Sequence, residues 1–141
     1  MIPRLTTSLL ALALAACAAS APARAEVVPW KAQLSGGQET PPTDSAGKGE
    51  VEASYDTESK KLSWTITYSG LSGPVTAAHF HGPALPGKTA PAMVPIANVT
   101  ANPIKGEAIL TTEQADALKR GVYVNLHTAK FPDGEIRGEL K

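Results

Sequence analysis

Apolar and polar residues alternate with a period of two along most of this chain. In KKLSWTITYSG, Leu62, Trp64, Ile66 and Tyr68 fall on one face, and Ser63, Thr65 and Thr67 on the other. That is the pattern of a half-buried strand. Upstream, GEVEASYD sets Val51, Ala53 and Tyr55 against Glu50, Glu52 and Ser54, and the polar DTESK between the two runs predicts an antiparallel hairpin. The same reading places strands at Val27 to Leu34, Val75 to His81, Met93 to Ala97, Lys105 to Leu110, Val122 to Thr128 and Glu135 to Leu140. Segments such as SGGQETPPTDSAGKG and GPALPGKTAP are too rich in turn formers to be helical. One helix is expected in TTEQADALKRG, with a threonine cap at Thr111 or Thr112, early acids, late Lys119 and Arg120, and a terminating Gly121. Many short strands and one short helix predict an antiparallel β-sandwich or barrel with Greek-key connections.

The first 25 residues do not fit this pattern. A basic start at Arg4, an apolar run LLALALAACAASA and the ending ARA before Glu26 read as a secretory signal cleaved after Ala25. LAAC at Leu14 to Cys17 also resembles a lipobox, which would make Cys17 a lipid-anchored first residue. Either processing route gives an exported domain, periplasmic or secreted, with no transmembrane segment expected. Cys17 is the only cysteine, so no disulfide within the domain is expected. Loss of Arg4 and Arg24 leaves 11 basic against 13 acidic side chains, with no basic stripe to hold nucleic acid. The remaining Glu26 to Lys141 is the length of one domain.

All three histidines of the chain fall on the face away from the expected core. In Val75 to His81, Ala78 and Phe80 point inward, so His79 and His81 point outward together. In GVYVNLHT, Val122, Val124 and Leu126 point inward, leaving Tyr123, Asn125 and His127 outward. Two readings stand: exposed polar residues, or metal ligands. An H-x-H pair supplies two imidazoles from one rigid strand, and His127 would supply a third. Imidazole donors without thiolate suit copper, zinc or nickel in an open site.

SGLSGPVTAAHFHGPA and GVYVNLHTAKFPDGEIRGEL, with LSGGQETPP and ANPIKGEAILTTEQADAL, resemble the CHRD domain, named from chordin, over nearly all of Val27 to Leu140. The resemblance implies a β-sandwich of immunoglobulin-like shape, distantly similar to copper/zinc superoxide dismutase, with no settled activity. Those dismutases carry an H-x-H strand and a later histidine as copper ligands, which His79, His81 and His127 resemble. Their C-terminal glycine-arginine segment attracts superoxide, and DGEIRGEL resembles it with Arg137, expected on the outward face beside Glu135 and Glu139. No histidine remains to bridge copper to zinc, so the resemblance implies copper and no zinc subsite.

The aromatic residues Trp30, Trp64, Tyr55, Tyr68 and Phe80 read as core packing, Glu50 and Glu52 as solvated, and Asp133-Gly134 as a hairpin turn. No G-x-S-x-G context supports hydrolase chemistry. Two function classes remain from sequence: an exported copper-binding domain engaged in copper handling or reactive-oxygen chemistry, including a dismutase-like one, and a non-enzymatic structural or protein-interaction module without metal. No protein partner is indicated.

Overall fold

The computed structural model describes residues 24–141, so the expected signal sequence and the lipobox at Cys17 lie outside the described residues apart from Arg24 and Ala25. Eight strands follow in order: β1 Val27–Ser35, β2 Lys48–Asp56, β3 Lys61–Ser69, β4 Val75–His81, β5 Ala92–Pro95, β6 Ile104–Ile109, β7 Tyr123–Thr128 and β8 Ile136–Glu139. The single α-helix among the described residues, α1, spans Thr112–Arg120 between β6 and β7. Each expected strand and the expected helix is present, with ends that differ by a residue or two. A short 3-10 turn at Gly36–Gln38, which alternation had not indicated, follows β1.

All pairings are antiparallel, in the order β5-β4-β7-β8-β1-β2-β3-β6. The sheet is two four-stranded halves joined by a narrow seam. β8 and β1 share only the Ser35–Arg137 pair in register, supplemented by reciprocal backbone bonds between Lys31 and Lys141. The halves fold over one another, because each has one apolar face that must leave water. Trp64 of β3 meets Phe80 of β4 edge-on, with ring centroids 5.1 Å apart. Val51, Leu62, Ile66, Val124, Leu126 and Ile136 complete the centre of the core. β6 returns beside β3, and β7 beside β4, which is the Greek-key connection expected.

Helix α1 closes one end of the core with Ala115, Ala117 and Leu118. Its N-terminus carries a full capping box: Thr111 Oγ1 accepts from Gln114 N, and Gln114 Oε1 accepts from Thr111 N. Gln114 Nε2 also donates to Met93 O, tying the helix to β5. Thr111→Ala removes the cap oxygen and should cost about 1 kcal/mol. A thermal melt should show this as a midpoint lower by on the order of 4 °C, with unchanged secondary structure.

The outward face of β4, β7 and β8 is the part of the fold that alternation described incompletely. Residues there do point away from the core, but Tyr123, Asn125 and Arg137 are buried. Segment 82–91 lies over Tyr123 and Arg137, reaching them through Ala90 and Lys88, while Asn125 is enclosed by His81 and His127. Ala84 N donates to Gly121 O, Gly87 N to Glu139 Oε1, and Thr40 Oγ1 reaches Gly87 O from the opposite loop. Alternation assigns a residue to a face; it carries no information about a loop that later covers that face.

Candidate metal centre

The register of β4 on β7 assembles the histidines. His79 lies opposite Asn125, His81 opposite Tyr123, and His127 opposite Ala77, two positions along from Asn125. Diagonal neighbours on one face of an antiparallel pair are within reach of long side chains. The three imidazoles converge: one ring nitrogen of each lies within 4.8 Å of the other two, and all three side chains are half-buried. His79 Nδ1 is 3.3 Å from His127 Nε2, and the His79 ring centroid lies 5.5 Å from that of His81 and 5.2 Å from that of His127.

Hydrogen bonds to backbone carbonyls fix the tautomers of two rings. His81 Nδ1 lies 2.9 Å from Ala90 O, and His127 Nδ1 lies 2.8 Å from Pro132 O. A carbonyl oxygen only accepts, so both Nδ1 atoms carry the proton and both Nε2 atoms are lone pairs. Those lone pairs face Asn125 Oδ1, each at 3.0 Å. The Asn125 carboxamide thus bridges the two rings.

Burial lowers the pKa of His79, assisted by the neighbouring His127 and His81. His81 is also lowered, first by burial and against its hydrogen bonds to Ala90 and Asn125, with the charges of His127 and Arg137 adding to the effect. Both rings therefore keep free lone pairs further into acid than an ordinary histidine.

Behind His81 runs a stack. The Tyr123 ring lies parallel to the imidazole with centroids 4.7 Å apart, and the Arg137 guanidinium carbon sits 3.5 Å from the Tyr123 centroid. Arg137 is on the non-core face, as expected, but only 1% exposed. Its Nε and Nη2 donate to Glu139 Oε1, Nη2 also to Lys88 O, and Nη1 to Thr40 Oγ1. The charge faces inward onto Tyr123 and Glu139, because segment 82–91 and Thr40 close over it.

Sequence reasoning assigned a role to neither of two buried acids, Glu135 and Glu39. Glu135, expected at the start of the last strand, precedes β8 by one residue. Burial pushes its carboxyl up, but donors from Ser45, Thr128 and Ser72 together outweigh that and hold it below the usual glutamate range. Glu39 is 8% exposed, and burial pushes it up to about 7 against the Arg137 charge and the Asn125 amide. Its Oε1 has no hydrogen-bond partner among the described residues. It lines a groove of about 530 Å³ between residues 39–44 and 130–134. Asn125 had been placed on the correct face, so its position next to His127 was readable. Glu39 sits in a turn-former segment where no periodicity marks it.

Fold and site together define an all-β, Greek-key domain with an open cluster of three imidazoles on one sheet face. The chain matches the family model of the CHRD domain over residues 30–140, most of its length, and belongs to that family. No curated protein and no solved structure matches it.

Proposed function

We propose that this CHRD domain binds one copper ion through His79, His81 and His127 and serves in copper handling or reactive-oxygen chemistry. The observation that carries the reading is the convergence of three ring nitrogens within 4.8 Å of one another, with the Nδ1 atoms of His81 and His127 bonded to Ala90 O and Pro132 O and their Nε2 atoms left on the shared side of the rings. Metal-ligating histidines characteristically donate their other ring N–H in this way. The 3.3 Å between His79 Nδ1 and His127 Nε2 also fits two ligands of a common ion, whose separation is about 3.3–3.5 Å for metal–nitrogen bonds near 2.0–2.1 Å. Three neutral imidazoles without thiolate or carboxylate suit copper best among the first-row divalent ions and leave a position open for exchange or reaction. The resemblance to copper/zinc dismutases supports the same ligand set. Arg137 faces inward behind Tyr123, and in this reading its charge is a minor help in keeping His81 neutral.

The test is a titration of the apo domain with Cu(II), and with Cu(I) under anaerobic conditions, followed by calorimetry. One ion per chain is the expected result. Because protons compete for the same lone pairs, affinity should weaken in acid, and the lowered pKa of His79 and His81 displaces their share of that loss to more acid pH than for an ordinary histidine. Saturating copper that leaves the histidine resonances unmoved would instead favour a structural or protein-interaction module.

A further inference from the structure

A neutral imidazole carries its proton on either nitrogen, and only the tautomer with the proton on Nδ1 leaves Nε2 of His81 free to hold a metal. The Asn125 carboxamide beside Nε2 does not make this choice, because an amide meets a bare nitrogen with its N–H end and a protonated one with its oxygen. Ala90 O does make it, since a carbonyl only accepts. Yet Ala90 lies two residues before β5, outside the sheet ladder, so strand pairing does not set its position. Something else must hold that carbonyl against Nδ1.

We infer that Tyr123 is the positioning residue that holds it, fixing the tautomer of His81 through Ala90 and the plane of His81 through its own ring. The inference rests on the metal reading for its purpose, while its contacts are those of the metal-free chain. Tyr123 Oη accepts from Ala90 N and donates to Ala90 O, both at 3.3 Å, so one hydroxyl clasps both polar groups of that residue. The carbonyl has two lone pairs and accepts from His81 Nδ1, at 2.9 Å, as well. Opposite His81 in the β4–β7 register, the Tyr123 ring lies 2° from parallel to the imidazole, with 4.7 Å between centroids. Its other face is backed by the Arg137 guanidinium carbon, 3.5 Å from the centroid, and Arg137 is itself fastened by Thr40, Lys88 O and Glu139. Tyr123 is therefore held on both faces and at its tip. His127 stands outside this arrangement, because its Nδ1 bonds to Pro132 O in the β7–β8 loop. Packing alone would be served equally by phenylalanine, so the hydroxyl separates a positioning role from a merely structural one.

The test compares the full chain with its Tyr123→Phe variant, which keeps the ring and both stacked faces and removes only the hydroxyl. In the metal-free parent, long-range nitrogen–proton NMR at a pH where the rings are neutral should show His81 with its proton on Nδ1. A parent His81 protonated on Nε2 overturns the inference with no variant needed. In metal-free Tyr123→Phe, His81 should become a mixture of the two tautomers while His127 stays as it was. Titration of the variant with Cu(II) should show affinity lower by about threefold to tenfold, since only the fraction protonated on Nδ1 is ready to bind. An unchanged His81 tautomer in the folded variant overturns the inference, and so does an equal shift at His127, the mark of a general loosening. If the parent takes up no copper while His81 responds as expected, the metal reading fails and the positioning role stands. Copper uptake by the parent with His81 unmoved in the variant has the opposite meaning.

Discussion

Alanine at position 79, 81 or 127 should each reduce copper affinity by well over tenfold, measured by competition against a chelator of known strength. Loss of an outer hydrogen-bond partner typically costs 10–100-fold, so removal of one of only three direct ligands should cost at least as much. The three variants should differ in their effect on the apo fold. His81→Ala removes the bond to Ala90 O and the ring that stacks on Tyr123, and His127→Ala removes the bond to Pro132 O in the β7–β8 loop. Among the described residues His79 has no hydrogen bond to a carbonyl; its polar contact is with His127. His79→Ala should therefore leave the apo melting temperature close to that of the parent while lowering affinity as much as the others. Equal affinity in parent and His79→Ala would sink the proposed site.

The second large effect concerns Glu135. This carboxylate is fully buried and accepts hydrogen bonds from Ser45 Oγ, Ser72 N and Oγ and Thr128 Oγ1. It thereby ties the 43–47 loop, the β3–β4 connection and the end of β7 to the start of β8. No lysine or arginine forms an ion pair with it among the described residues. Glu135→Ala strands several donors that had one common acceptor, and should cost about 3 kcal/mol or more in denaturant unfolding at pH 7. The sign of its pH dependence follows from the lowered pKa. The native state favours the ionised form, so this contribution is complete above the ordinary glutamate value of 4.5 and is lost as pH falls through the lower native value. The gap between parent and variant should narrow below pH 4.5, and a gap independent of pH would show that packing, rather than the carboxylate, is what matters at this position.

The strands were legible because each buries one face only. Trp64, Ile66, Phe80 and Val124 alternate with polar neighbours, and a one-residue error in reading such a strand would invert every side chain. The helix was legible from its ends, where Thr111 and Gln114 exchange hydrogen bonds and Gly121 takes φ of 114°. Segment 82–91 was readable as a loop but not as a roof. Its contacts to Arg137, His81 and Glu139 run through backbone atoms, which every residue has, so its sequence does not record them.

By itself, then, the sequence determined the all-β architecture, the face on which His79, His81, His127, Asn125 and Arg137 stand, and membership of the CHRD family. These follow from local periodicity and from motifs contiguous in the chain. Only the tertiary structure decided that the β4–β7 register brings the three imidazoles together, that Arg137 is enclosed and turned onto Tyr123, and that Glu39 is buried beside Gly134. Each of these depends on pairing and loop closure between segments distant in sequence, where alternation fixes the direction of a side chain and leaves its neighbour undetermined.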